Sequence, residues 1–194
     1  AIAQAVAAVA KFGKGRLEVA EAGCSLMVGL SQALARDEDD AEADAGGPHV
    51  LAVGGAARAI VACLRAHGAT DAVLAQNCCR TMANLTAKCG TLGNTTAAAE
   101  IVAAGGFEAI VECCLVPHGV ADPTTAKYGC RALYYLLIEA DQAVDGGKTA
   151  VIMRGIAAGA HDAVVACLKA HPEAQEDLAE EACSAVYGLA KEAP

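Results

Sequence analysis

The apolar residues of this chain fall at helical spacing, in short stretches separated by glycines or polar links. One stretch carries apolar side chains at i, i+1, i+4 and i+5, at Ile110, Val111, Cys114 and Leu115. A polar link from Gly119 to Thr125 follows, and the next stretch carries Cys130, Leu133, Leu136 and Leu137. Before both, the pair Gly105-Gly106 supplies a sharp turn after a short helical stretch, Thr95–Ala104. The pattern predicts three consecutive helices, two of them with an apolar stripe.

This three-helix pattern recurs along the chain with a period a little above fifty residues. Segments matching the third helix align without gaps at residues 20–31, 75–86, 126–137 and 179–190. Segments matching the glycine turn and the second helix align at 53–67, 104–118 and 158–171. Three sets of residues recur with this period. The first set, at steps of 55, 51 and 53 residues, is Cys24, Cys79, Cys130 and Cys183. The other two sets, at steps of 51 and 53 residues, are Cys63, Cys114 and Cys167, and His67, His118 and His171. Such a period is typical of repeat proteins, in which each unit covers the apolar face of its neighbour.

We expect a single domain, residues 1–194, built from stacked units. The units span about 1–35, as a partial first unit, then 48–90, 94–140 and 147–194. The fourth unit begins with a short helix at Gly147–Ala158, and extended connections are predicted at Arg36–Pro48, Lys88–Thr96 and Asp141–Lys148. Neither end shows an obvious polar capping repeat, so we expect a longer array or ends that partners cover.

The string IVAAGGFEAIVECC, the third-helix pattern after it and the ANL of Met82–Leu85 resemble armadillo repeats, over nearly the whole chain. The resemblance implies an all-α fold, a right-handed α-α superhelix, as an armadillo-like solenoid of about three and a half three-helix repeats. HEAT repeats are the structural alternative, and the three-helix pattern with its glycine turn disfavours them. The units exceed the usual length of about 40–47 residues, which the extended connections account for.

In armadillo repeats the third helices line a concave groove that binds extended peptides, and the resemblance implies such a groove here. In the import-receptor members of the family, a Trp and an Asn four residues later grip the peptide backbone. The matching pairs in this chain are Ser25/Gly29, Arg80/Asn84, Arg131/Tyr135 and Ser184/Gly188. Only Asn84 keeps the family identity, so recognition of a nuclear import signal is not expected.

Residues one turn earlier on the third helices also determine how charge is distributed along this groove. They are Glu21, Gln76, Lys127 and Glu180, which leaves a cationic centre between two acidic ends. We predict that the groove binds an extended or helical protein segment with acidic residues at its centre, through charge-assisted hydrogen bonds. The candidate binding residues are Gln76, Arg80, Asn84, Lys127, Arg131 and Tyr135. The alternative is that both arginines are solvated or are paired within the protein.

The recurring cysteines and histidines do not predict a metal site. Ligands of a metal ion converge on one point, whereas repeat-equivalent positions are spread along a stack. Cys113 and Cys114 project about 100° apart on a helix, and His118 lies near the end of that helix, where an imidazole meets backbone carbonyls. The acidic run Asp37–Asp44 lacks the ligand spacing of a calcium loop. No metal ion or cofactor is expected.

Charge and composition narrow the function class. The net charge is −9, and six acids between Asp37 and Asp44 leave only −3 elsewhere. The sequence has no basic patch for nucleic acid, no run of about 18 apolar residues for membrane insertion and no pairing of nucleophile and base typical of an enzyme. We therefore expect a non-catalytic protein-interaction scaffold in a reducing intracellular compartment, the cytoplasm or an organelle reached through a transit peptide that was removed. The alternative is a structural subunit of a large multiprotein assembly, packed through its solenoid faces.

Overall fold

The computed structural model describes residues 2–36, 55–91, 96–139, 147–173 and 176–190, and every regular element in these ranges is a helix. In chain order the helices are α1 (Ile2–Ala8), α2 (Leu17–Arg36), α3 (Ala56–Cys63), α4 (Ala72–Thr91), α5 (Thr96–Ala103), α6 (Gly106–Ile110), α7 (Pro123–Glu139), α8 (Gly147–Ala157), α9 (Ala160–Ala170) and α10 (Glu176–Ala190). Three of them continue as π-helical segments, α1 as Val9–Gly13, α3 as Leu64–Gly68 and α6 as Val111–Gly119. The predicted all-α class is confirmed.

The helices group into consecutive units. Unit 1 consists of α1 and α2, unit 2 of α3 and α4, unit 3 of α5, α6 and α7, and unit 4 of α8, α9 and α10. The predicted start of unit 2, residues 48–54, lies outside the described residues. The same is true of residues 37–47, 92–95 and 141–146 in the three predicted connections. One boundary differs from the prediction, because α4 continues through Lys88 to Thr91. Alanine and lysine are good helix formers, so Ala87 and Lys88 extend the helix where a connection was expected.

A glycine in the left-handed conformation precedes the second helix of units 2, 3 and 4. The φ angles are 75° at Gly55, 81° at Gly105 and 76° at Gly159, directly before α3, α6 and α9. A Cβ atom disfavours this conformation, which explains why glycine recurs there. The predicted glycine break is confirmed at all three positions.

Aspartate side chains cap the third helices of units 2 and 3. The backbone N–H of Leu74 donates to Oδ1 of Asp71, and that of Thr125 donates to Oδ2 of Asp122, both at 2.8 Å. These bonds satisfy N–H groups that the first turn of a helix leaves unpaired. Partial burial raises the pKa of Asp122, but hydrogen bonds from Thr125 and Thr124 outweigh it and hold the pKa below its ordinary value.

Helices of the same type pack against one another in chain order. Among the third helices, α2 contacts α4, α4 contacts α7, and α7 contacts α10. Among the second helices, α3 contacts Val9–Gly13, Leu64–Gly68 contacts Val111–Gly119, and Val111–Gly119 contacts α9. Every residue of the two apolar stripes predicted in unit 3 is buried. The core therefore continues from unit to unit, and its largest fully buried side chains include Met27, Ile60, Leu64, Leu74, Met82, Ile101, Phe107, Leu115 and Leu133.

Candidate functional site

The six predicted binding residues lie on two neighbouring helices. They follow one another at intervals of four residues, as Gln76, Arg80 and Asn84 on α4 and as Lys127, Arg131 and Tyr135 on α7. Side chains four residues apart share one face of a helix, and α4 packs against α7. All six side chains are half-buried. We call the surface that they form the third-helix surface.

Arg80 is positioned by an aromatic ring from the next unit. Its Cζ atom lies 5.5 Å from the ring centroid of Tyr128 on α7, within the range of a cation-π contact. A ring stacked on one face of a guanidinium leaves the N–H groups at its edge able to donate. Among the described residues no carboxylate forms an ion pair with Arg80. Sequence reasoning missed Tyr128, although an aromatic residue three positions before Arg131 lies on nearly the same helix face.

Arg131 is paired within the protein. Its Nε atom lies 3.5 Å from Oε1 of Glu181 on α10, and its Cζ atom lies 5.7 Å from the ring centroid of Tyr135. The Nε atom is buried and makes no hydrogen bond. Burial raises the pKa of Glu181, and the positive charge of Arg131 opposes that rise. The structure therefore confirms the alternative interpretation for Arg131, which is that it is paired within the protein.

Lys127 makes a parallel contact to the same helix. Its Nζ atom donates to Oδ2 of Asp177, near the start of α10. This hydrogen bond holds the pKa of Asp177 below its ordinary value. Lys127 and Arg131 thus link α7 to α10, and two of the three central cations already have acidic neighbours. Sequence reasoning missed Asp177 and Glu181, each of which lies in unit 4, 50 residues after its cation.

The charge of the third-helix surface changes along the units. Glu21 on α2 and Glu180 on α10 are exposed at its two ends, and Arg80 lies between them. A guanidinium with free edge donors binds a carboxylate well, and the amide of Asn84, one turn further along α4, is a type of group that binds peptide backbone. The side chains on this surface therefore include donors suited to a carboxylate and to a peptide amide.

Three histidines join consecutive units at equivalent places. The Nε2 atoms of His67, His118 and His171 lie 2.9, 2.7 and 2.8 Å from the carbonyl oxygens of Gly13, Gly68 and Gly119. Each acceptor ends the π-helical segment of the preceding unit, and a carbonyl can only accept, so each Nε2 donates. The prediction that His118 meets a carbonyl at a helix end is confirmed. The acceptor lies in the neighbouring unit, which explains why the histidines recur with the repeat.

Cysteines meet where units join. Cys24 on α2 hydrogen-bonds with Cys63 on α3, and Cys79 on α4 with Cys114 in the next unit. The Sγ atoms of Cys24 and Cys78 are 3.4 Å apart. These neighbouring thiols occupy non-equivalent positions, so their proximity does not alter the prediction that equivalent cysteines are spread from unit to unit. Thiols from consecutive units lie close together, because α4 packs both against α2 and against the Val111–Gly119 segment.

Burial favours the protonated form of Cys130 and Cys167. It raises the pKa of Cys130 well above its ordinary value and that of Cys167 to about 11. The hydrogen bond with Cys24, followed by burial, raises the pKa of Cys63. In the part of the chain that the structure describes, no group of three or more His, Cys, Asp or Glu side chains is placed to hold a metal ion. The thiols described here act as small packing groups.

Comparisons of the chain with protein families, with characterised proteins and with solved structures found no match. Within the described ranges, no single helix has the length and apolarity needed to cross a membrane, and the pair α8 and α9, bent by 57°, meets those criteria only when taken together. A functional interpretation therefore depends on the geometry of the third-helix surface and of the contacts between units.

Proposed function

We propose that this protein is a non-catalytic protein-interaction scaffold, built as an armadillo-like solenoid, which binds an acidic segment of a partner protein on its third-helix surface. The order of helix contacts supports the solenoid. Each substantial contact between helices of different units joins consecutive units, and a histidine hydrogen bond recurs at each of these junctions. Helices packed around one common centre would also bring units 1 and 4 together.

The observation that carries the proposed binding role is the setting of Arg80. Tyr128 orients its guanidinium from the next unit, and no described carboxylate is paired with it. Lys127 and Arg131, its cationic neighbours on α7, each have an acidic partner on α10. A carboxylate from a bound segment would complete the same pattern at Arg80, through charge-assisted hydrogen bonds.

Charge reversal at Arg80 tests this role. The wild-type protein and the Arg80→Glu variant are immobilised, incubated with extract of the source cells and compared by quantitative mass spectrometry. Arg154→Glu is the matched control, because Arg154 is exposed on α8, outside the third-helix surface. We expect proteins with acidic segments to be captured by the wild type and the control and lost with Arg80→Glu. Equal capture by all three proteins would refute the proposal.

A structural role in a larger assembly is the second candidate, and the outer face of α10 favours it. Cys183 is exposed, whereas its repeat equivalents Cys24, Cys79 and Cys130 are fully buried by the following unit. Tyr187 is 62% exposed, whereas its equivalent Ala83 is 1% exposed. Sedimentation velocity distinguishes the two candidates. A subunit of an assembly self-associates or precipitates when isolated, and Tyr187→Ser reduces this, whereas a binding scaffold remains monomeric.

A further inference from the structure

A concave site lies where units 1, 2 and 3 meet. This cleft encloses about 260 Å³, and none of the residues of the third-helix surface lines it. Three exposed cations line it, namely Lys14 from unit 1 and Arg58 and Arg65 from unit 2. Apolar lining comes from Val61, Ala62 and Ala104, which are buried or half-buried. We call it the basic cleft.

The cations of the basic cleft are held in place by contacts between units. Nη2 of Arg58 donates to Oε1 of Glu100 at 2.9 Å, and Nη2 of Arg65 donates to the carbonyl of Gly105 at 3.1 Å. Both acceptors belong to unit 3, and each bond uses only part of the five donors of a guanidinium. These contacts direct both guanidinium groups towards unit 3 and leave their other N–H groups available to a ligand.

Lys14 is the third cation, and its backbone is fixed from unit 2. It follows Gly13, whose carbonyl accepts the hydrogen bond from His67. Among the described residues Lys14 forms no ion pair. Glu100 offsets the charge of Arg58, and the carboxylate of Glu108 lies near Arg65, because a Cβ position at Gly105 is 2.2 Å from Nη2 of Arg65 and 3.3 Å from Oε2 of Glu108. The three cations of the cleft therefore outnumber these two carboxylates by one, in a protein whose net charge is −9.

Comparison of the units shows that the fold does not require these cations. The positions equivalent to Lys14 carry Ala69, Val120 and Glu173, those equivalent to Arg58 carry Ala109 and Asp162, and those equivalent to Arg65 carry Val116 and Lys169. Residues that join the units, such as the histidines described above, do recur. The three cations therefore occur together at this junction, whereas the other junctions pack without such a set of three.

We propose that the basic cleft binds a carboxylate side chain of an acidic peptide segment, as a site separate from the third-helix surface. The carboxylate accepts hydrogen bonds from Arg65 and Lys14, as such groups prefer. Apolar groups of the segment next to it contact Ala62 and Ala104. The cleft is smaller than the usual range of about 300–1,000 Å³ for small-molecule sites, which suits a single side chain of a longer segment.

Fluorescence anisotropy tests this site with a fluorescein-labelled peptide of alternating Glu and Leu, and with the same peptide carrying Gln in place of Glu. The measurements use the full chain in an Arg80→Glu background, so that the third-helix surface does not contribute and failure of one proposal is distinguishable from failure of the other. Lys14→Glu is the test variant. Lys169→Glu is the matched control, since Lys169 is exposed and occupies in unit 4 the position of Arg65.

We expect the Glu peptide to bind, and added salt to weaken its binding. Lys14→Glu should raise its Kd by at least about fivefold, the effect of roughly one ion pair, whereas Lys169→Glu should leave the Kd unchanged. Arg65→Gln should weaken binding in the same direction, and circular dichroism checks that both variants keep their helix content. Absence of binding, equal binding of the Gln peptide, or equal losses with Lys14→Glu and Lys169→Glu would overturn the proposal. Complete displacement by millimolar inorganic phosphate would also overturn it, by showing a free-anion site.

Discussion

The Nε2 atom of His118 lies 2.7 Å from the carbonyl oxygen of Gly68, a residue of the preceding unit. Gly68 ends a π-helical segment and His118 lies near the end of the next one, so this bond joins the ends of two second helices. His67 and His171 make the same bond to Gly13 and Gly119. Contacts that repeat in this way indicate a common geometry at all three junctions.

Replacement of His118 by alanine should weaken one junction. We expect the free energy of unfolding to fall by about 1 kcal/mol, because a partly buried hydrogen bond is lost and its carbonyl acceptor is left without that donor. Urea denaturation followed by circular dichroism measures the change. His161→Ala is the control, because His161 is exposed and its hydrogen bond is to the adjacent Asp162 rather than to another unit. Equal stability of the two variants would show that the junction bond contributes nothing measurable.

Two glycines with similar backbone angles should respond differently to alanine. Gly105 and Gly159 have φ angles of 81° and 76°, and both variants incur the backbone cost of about 1–2 kcal/mol. A Cβ atom at Gly105 would also lie 2.2 Å from Nη2 of Arg65, whereas no atom of the described residues lies within 4 Å of a Cβ position at Gly159. Gly105→Ala should therefore displace the exposed end of the Arg65 side chain and break its hydrogen bond to Gly105. We expect it to destabilise the protein by about 0.5–1.5 kcal/mol more than Gly159→Ala in urea denaturation. Adding Arg65→Ala should remove the difference, and a difference that persists would contradict this explanation.

In a second pair of glycines, replacement by alanine should change the stability of the protein in opposite directions, because helices approach closely at only one of the two positions. A Cβ atom at Gly129 on α7 would lie 2.4 Å from Cδ2 of Leu115, so Gly129→Ala overpacks the core and should cost about 1–3 kcal/mol. No atom of the described residues lies within 4 Å of a Cβ position at Gly29 on α2, and Gly29→Ala should stabilise the helix by about 0.5–1 kcal/mol. Thermal unfolding should shift in opposite directions for the two variants, and a shift in the same direction would argue against this packing.

The sequence predicts the repeated elements well because each follows from local chemistry. The glycine turns, the apolar stripes of unit 3 and the start of α7 after a polar link all depend on residues close in the chain. The partners of Arg131 and Lys127 were missed because Glu181 and Asp177 lie in the next unit. The facing of Cys24 and Cys63 was missed for the same reason, since the register between units depends on how whole helices pack. Contacts across a junction become visible only when equivalent positions are compared pair by pair.

Thiol reactivity should separate an exposed repeat position from its buried equivalents. Cys183 is exposed, whereas Cys130 is fully buried and its pKa is raised by burial. Because the thiolate is the reactive form, we expect iodoacetamide to label Cys183 quickly in the native protein and Cys130 only after unfolding. Peptide mapping by mass spectrometry measures both rates in one sample, with labelling in urea as the reference. Comparable native labelling of both thiols would mean that the α7–α10 junction opens readily.

Acid should weaken the cap of α7 in a way that depends on Asp122. Hydrogen bonds from Thr125 and Thr124 outweigh the effect of partial burial and lower the pKa of Asp122 in the folded state. The carboxylate therefore adds stability above its unfolded pKa of about 3.9, and this stability is lost as the pH falls from there through the lower folded pKa. The unfolded chain binds the proton first on acidification, so stability falls with pH in this window.

Asp122→Asn keeps an acceptor oxygen at the cap and removes the titrating group. The free energy of unfolding, measured in urea between pH about 6 and pH about 3, should therefore fall less steeply for Asp122→Asn than for the wild type. Asp162→Asn is the control, because Asp162 is highly exposed on α9 and does not cap a third helix, and its profile should follow that of the wild type. If Asp122→Asn and the wild type lose stability in parallel, the low pKa of Asp122 does not contribute to the acid sensitivity of α7, and other carboxylates must account for it.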